Sequence, residues 1–176
     1  MKHSRIKAHF DHLAPNYDRY KHPGNFYYAE LKRAVTSCIP AQERVLEIGC
    51  GTGTLLMLTK PKFGLGVDIS PQMIKNAQIK YSKRTRISFQ THDIESSPLP
   101  GKFDYILLAD VIEHLSNPHK ALKNIAHSMQ ASTKLVLTMA NPAWEPFLMF
   151  LENLHFKMPE GPHTRISEKK LLHIFL

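Results

Sequence analysis

Cysteine is scarce in this chain of 176 residues: Cys38 and Cys50 are the only two, and Cys50 sits inside a glycine-rich stretch. Two such distant residues do not make a disulfide framework. Long apolar runs are missing as well. None approaches the ~20 residues a helix needs to cross a bilayer, so a transmembrane helix is excluded. The opening Met1-Lys-His-Ser-Arg-Ile-Lys7 lacks the apolar core of a secretory signal. These absences together predict a reduced, cytoplasmic setting. Repeats, low-complexity tracts and linkers are also lacking, so residues 1–176 read as a single domain large enough to bury a core. Histidines are scattered without H-x-x-x-H spacing or an adjacent carboxylate pair, and no metal site is expected. Acidic residues are in deficit, with 15 Asp and Glu against 23 Lys and Arg and a formal charge of +8. That balance suits nucleic acid, an anionic small molecule or an acidic membrane surface. The basic residues are mostly dispersed, however. Their one tight cluster, Lys80, Lys83, Arg84 and Arg86, falls at the end of a predicted helix, where cations complement the helix dipole.

The most informative stretch runs from Arg44 to Leu55. Val45, Leu46 and Ile48 form a short apolar, β-rich run of the kind found in a buried parallel strand. Gly49, Gly51 and Gly53 then alternate, and Leu55-Leu-Met-Leu58 follows at helical density. Glycine permits positive φ and lets the backbone approach a ligand closely, and the helix start offers free N–H groups. The pattern is G-x-G-x-G, so it lacks the G-x-G-x-x-G spacing of a dinucleotide site. It also lacks the Lys-Ser/Thr pair of a P-loop. Glu47, just before the turn, would repel a phosphate and suits a cationic ligand group.

Downstream, Phe63-Gly-Leu-Gly-Val-Asp68-Ile69 reads as a second strand ending in an acid. Ser70-Pro71 caps a helix to about Tyr81. A third strand runs from Arg86 toward Asp93 and Ile94. A fourth, Phe103 to Ala109, leads into Asp110-Val-Ile-Glu-His114. Pro118 opens a helix to about Met129, and Lys134 to Met139 forms a fifth strand. Strands alternating with helices specify an α/β, doubly wound, mostly parallel sheet. Ligands bind such sheets beyond the strand C-termini, which is where Asp68 lies. Residues 25 to 38 read as a helix. Residues 1–40 form an N-terminal helical cap.

Glu47-Ile-Gly-Cys-Gly-Thr-Gly53 after an apolar strand resembles motif I of the class I S-adenosylmethionine-dependent methyltransferases. Phe10-Asp-His-Leu-Ala-Pro-Asn-Tyr17-Asp resembles a segment opening many small-molecule members, including those of quinone biosynthesis. The resemblance implies a Rossmann-like fold, S-adenosylmethionine as cofactor and a small-molecule methyl acceptor. It carries the cofactor to Glu47, Gly49, Cys50, Gly51 and Ala109, with Asp68 and Ile69 at the ribose, Asp93 and Ile94 at the adenine, and Tyr17 as a lid contact. An amphipathic helix over residues 10 to 20 that packs its aromatics on the core is the competing explanation for Tyr17, as turn capping is for Asp93. His114 and Asp110, in the loop after strand four, are the candidate catalytic groups, since a base assists transfer to a hydroxyl or an acidic carbon. A loop histidine bonded to backbone would look the same.

Residues 143–176 are expected on the acceptor side. Trp144, Phe147, Leu148, Leu151 and Leu154 share a helical face, compatible with a lid over an apolar or amphipathic acceptor, a membrane-surface helix, or packing on the sheet. His163 and Arg165 lie in a loop-like stretch resembling a G-x-H segment that some relatives bring to the acceptor. The family usually continues with two further strands, whereas this sequence stops at Leu176. The expectation is a fragment or a sheet edge covered by a partner, a second copy of the chain included. A non-catalytic or partner-dependent S-adenosylmethionine-binding subunit is therefore the alternative. Nucleic acid is not an expected partner, because the position after strand four lacks an Asn/Asp-Pro-Pro-Tyr-like motif and no base-reading module is present.

Overall fold

A computed structural model describes residues 2–21, 25–139 and 161. Five strands, β1 (Arg44–Ile48), β2 (Phe63–Asp68), β3 (Ile87–Thr91), β4 (Tyr105–Ala109) and β5 (Lys134–Thr138), form one sheet in the order β3-β2-β1-β4-β5. All four pairings are parallel. Six helices accompany them among the described residues: α1 (Lys2–Leu13), α2 (Tyr17–Tyr20), α3 (Phe26–Cys38), α4 (Thr54–Leu58), α5 (Pro71–Lys80) and α6 (Pro118–Ala126). None is long and apolar enough to cross a membrane. The alternating units of the sequence thus become a doubly wound sheet. β5 is its outermost strand on one side among the described residues.

The strand period of two divides β1 between two cores. Val45 packs with Val35 of α3, Leu56 of α4, Ile74 of α5 and Leu107 of β4. Leu46 and Ile48 face the other layer with Ile106, Leu108, and Ala121 and Ile125 of α6. The helices begin where the sequence supplies caps. Asn25, Ser70 and Asn117 each accept a backbone N–H from their helix's first turn, and Pro71 and Pro118 follow the last two. α6 ends at Ala126, short of Met129, and α4 spans only Thr54–Leu58.

The strand order reverses about β1, whose neighbours β2 and β4 lead to opposite edges. A crevice at such a switch point, beyond the strand C-termini, is where an open α/β sheet takes its ligand. The N-terminal segment covers it: Leu13, Ala14 and Tyr17 form a small apolar cluster with Met73 of α5. Residues 10 to 20 are therefore not one helix, since Ala14-Pro15-Asn16 forms a turn between α1 and α2.

Candidate active site

The glycine turn is held by two buried carboxylates. Gly51 N–H donates to Asp68 Oδ2 (2.8 Å) and Ser70 N–H to Asp68 Oδ1 (2.9 Å), so the acid ending β2 ties the turn after β1 to the start of α5. Glu47, 1 % exposed, accepts the Leu56 N–H at 2.9 Å and so caps α4 from beneath the turn. Burial pushes Glu47 up to about 8, against the Lys21 charge and the Leu56 hydrogen bond, which pull it down. Asp68 is likewise raised by burial, against its hydrogen bonds from Ser70 and Gly51. Gly51 adopts φ +53°, and a Cβ there would lie 2.9 Å from Tyr17 Cε1. The turn thus needs glycine both for its handedness and for the aromatic ring seated on it. The Cys50 thiol bonds the Gly51 carbonyl and packs in the core, and burial keeps its pKa well above that of an ordinary cysteine.

Above these groups lies a cavity of about 190 Å³. Every described candidate from the sequence lines it: Tyr17 on the N-terminal segment, Glu47 to Gly51 at β1, Asp68 and Ile69 at β2, Asp93 and Ile94 after β3, and Ala109, Asp110 and His114 after β4. Trp144, His163 and Arg165, with the whole 143–156 face, lie outside the described residues.

Three latches fasten the N-terminal segment over this cavity. His3 Nδ1 lies 3.0 Å from Asp93 Oδ2, and His3 Nε2 lies 2.7 Å from Glu95 Oε2. Asp11 accepts the Ser70 hydroxyl at 2.6 Å. Asp18 accepts Thr52 Oγ1–H at 2.6 Å and Lys80 Nζ at 2.8 Å. Lys80, assigned above to the helix dipole, therefore has a specific partner from outside its helix. The His3, Asp93 and Glu95 ligand atoms lie within 4.8 Å of one another. Each imidazole nitrogen faces a different carboxylate, so the three side chains clamp α1 to the loop after β3. Asp93 also accepts the Glu95 N–H at 2.9 Å, so the turn role weighed for it is present.

Beyond β4, Asp110 sits at φ +56°, a conformation uncommon for non-glycine residues that Asp tolerates better than most. Its Oδ1 accepts Tyr27 Oη–H (2.8 Å) and Thr138 Oγ1–H (3.0 Å). His114 ends a 3-10 turn over Ile112–His114, and its ring meets the Phe10 ring edge-on at 5.5 Å. Sequence reasoning missed Lys21, Tyr27, Tyr28, Thr138 and His3, each brought to the site by an element distant in sequence.

A family profile described as a methyltransferase domain matches residues 17–175. The chain belongs to that family. The ubiquinone biosynthesis O-methyltransferase of Coxiella burnetii (strain RSA 493) is 29% identical over 129 residues, 69% of this chain and 55% of its own length. That of Xanthomonas euvesicatoria pv. vesicatoria is 24% identical over 132 residues, covering 70% and 55%. The chain thus spans about half the length of the curated relatives it matches. Among solved structures, the N-methyltransferase NodS of Bradyrhizobium japonicum WM9, complexed with S-adenosyl-L-homocysteine, superposes with a TM-score of 0.75 at 20% identity. It covers 97% of this chain and 85% of its own, and it matches the methyltransferase family in fold.

Proposed function

We propose that this chain catalyses methyl transfer from S-adenosylmethionine to a small-molecule acceptor. The observation that carries the proposal is the Gly49–Gly53 turn, gripped by Asp68, backed by Glu47 and roofed by Tyr17 at one cavity. S-adenosylmethionine is the cofactor. The donor set suits it: Glu47 suits the ammonium, the lone pairs left on Asp68 suit the ribose hydroxyls, and Asp93 suits the adenine amino group. When bound, the cofactor supplies an electrophilic methyl group on a sulfonium.

The chain's own part is alignment and exclusion of water. The turn holds one end of the cavity, and α1 with Tyr17 closes it from solvent. His114 stands at the β4 side, where a ring nitrogen can take the proton leaving an acceptor hydroxyl or acidic carbon. Asp110, oriented by Tyr27 and Thr138, polarises that same wall. From sequence, the 143–156 segment, with Trp144, and the downstream His163 and Arg165 are the candidates for binding the acceptor. The apolar, aromatic composition of 143–156 suits an apolar or amphipathic acceptor, and ubiquinone biosynthesis O-methyltransferases among the relatives support that class.

Calorimetry with S-adenosylhomocysteine and with NAD tests the cofactor. Heat is expected with the first alone, and no heat with it would sink the proposal. A labelled-methyl transfer screen against lipid, aqueous and nucleic-acid metabolite pools then identifies the acceptor pool. Once an acceptor is known, His114→Gln is expected to lower kcat by about 10²–10⁴-fold while the affinity for S-adenosylhomocysteine is unchanged. An unchanged kcat would remove His114 from the chemistry.

A further inference from the structure

The two ends of the sheet are oppositely charged. At the strand C-termini, Glu47, Asp68, Asp93, Glu95, Asp110 and Glu113 line the cavity against one Lys or Arg among the described residues, Lys21. At the strand N-termini the balance inverts. Every strand has an exposed cation at its start or within three residues before it. In sheet order these are Arg86 before β3, Lys62 before β2, Arg44 on β1, Lys102 before β4 and Lys134 on β5. Arg84 and Lys60 thicken the row on the β3 side, and two acids, Glu43 and Asp104, stand within it.

Hydrogen bonds between neighbouring strand starts make the row continuous. Gly64 N–H donates to Arg86 O, Lys62 N–H to Glu43 O and Lys134 N–H to Asp104 O, while Arg44 Nε–H donates to Lys102 O. With strands about 4.8 Å apart the row is about 19 Å long, and the length of a strand, about 17 Å, separates it from the cavity end. No ion pair among the described residues takes a cation of the row. Asp104 is engaged by the Arg44 N–H and by Gln130. Lys102 donates to the His127 and Met129 carbonyls, which leaves its charge in place.

A straight row of uncompensated cations fits a polyanion whose charges repeat along a line, as phosphates do along a nucleic-acid strand. Protein interfaces have an apolar core instead. The exposed large apolar side chains among the described residues, Phe26, Tyr27, Leu58 and Ile79, lie on helices and not at the strand starts. A membrane met by this end would leave the cavity turned away from the bilayer. We propose that the N-terminal rim of the sheet docks the phosphate backbone of a nucleic-acid duplex, without reading its bases. The duplex is a docking partner and not the methyl acceptor, because it lies at the end of the sheet opposite the cavity. A small molecule can thus enter the cavity while the rim is held. The missing acceptor motif after strand four bears on the cavity end alone.

The test is fluorescence anisotropy of a labelled DNA duplex of about 20 base pairs and mixed sequence, titrated with the full chain at several salt concentrations. With about three to five phosphates neutralised, the logarithm of the binding constant should fall against that of salt with a slope of about −3 to −4.5. Arg84→Glu with Arg86→Glu is expected to weaken binding about tenfold or more at about 0.1 M salt. Arg5→Glu with Lys120→Glu makes the same charge change on α1 and α6 at the cavity end, beyond the screening length, and should weaken it less than about threefold. Lys62→Gln with Arg86→Gln removes charge without adding any and should flatten the slope by about 2. Denaturant midpoints check that each variant is folded, and the glutamine pair carries the comparison where the glutamate pair is destabilised. An unchanged slope in the glutamine pair overturns the proposal. Equal losses in the two glutamate pairs overturn it too, since net charge alone then acts. So does a wild type that leaves the duplex unbound at about 0.1 M salt. If phosphatidylserine vesicles then bind through the same cations, the rim is a membrane face instead.

Discussion

At the residue scale, Glu47 makes the sharpest claim, because its burial couples charge to ligand. In an unfolded chain it ionises near its ordinary value of 4.5, whereas in the fold it is pushed up to about 8. The fold therefore favours the protonated form. Its stability at this site is complete below pH 4.5, declines as the pH rises toward 8, and falls no further above that. Asp68, also raised by burial, adds a change of the same sign. A bound ammonium reverses the preference, so binding at pH 6–7 expels a proton. S-adenosylhomocysteine affinity should rise from pH 6 to 8, approaching about tenfold per pH unit at its steepest. Glu47→Gln should bind more weakly and with a flatter profile. Calorimetric titrations at several pH values decide the matter, and a flat wild-type profile would show that Glu47 does not face the ligand's cation.

At the scale of elements, the question is what keeps α1 and α2 on the sheet. Burial raises Asp11, but hydrogen bonds from the Ser70 hydroxyl and Lys7 outweigh it and hold the carboxyl below its usual range. Asp18 is lowered in the same way, with Lys80 and Thr52 outweighing burial. A depressed carboxylate stabilises the fold above its unfolded pKa, and that contribution is lost as the pH falls through the folded value. The segment over residues 2–20 should thus release in acid as a unit, below about pH 4, before the sheet opens. Amide spectra recorded between pH 6 and 3 would show its resonances shifting together. Asp11→Asn with Asp18→Asn should weaken this docking already at neutral pH and remove the acid step. An unchanged acid step in that double variant would place the acid-sensitive latch at groups other than Asp11 and Asp18.

For the molecule as a whole, stability comes from the two apolar layers that β1 divides, not from the polar site. Leu46, fully buried in the α6-side layer, has neighbours on both flanking strands and cannot be trimmed without leaving a cavity. Leu46→Ala should cost about 2–5 kcal/mol, read as a lower denaturant midpoint. Lys21→Met, on the partly exposed pocket wall, should leave that midpoint almost unchanged. If the two variants proved equally destabilising, site and core would not be separable in the way the layers suggest.

The sequence by itself determined the strands, the turn and the caps, because each has a short-range cause. A β-rich run such as Val45-Leu-Glu-Ile48 buries as a strand. Alternating glycines permit positive φ, and Ser70-Pro71 starts a helix wherever it lies. An acid ending β2 was legible for the same reason, since chain order places it at the ligand-binding rim of a parallel sheet. What only the tertiary structure decided are the pairings across space. Tyr27 reaches Asp110 over 83 positions, His3 reaches Asp93 over 90, and Lys80 reaches Asp18 over 62. Nothing in the spacing of residues records such pairs, because they exist only once α1, α2 and α3 dock over the strand ends. The same docking turned Lys21 from one of many scattered cations into the sole Lys or Arg among the described residues of an acidic cavity.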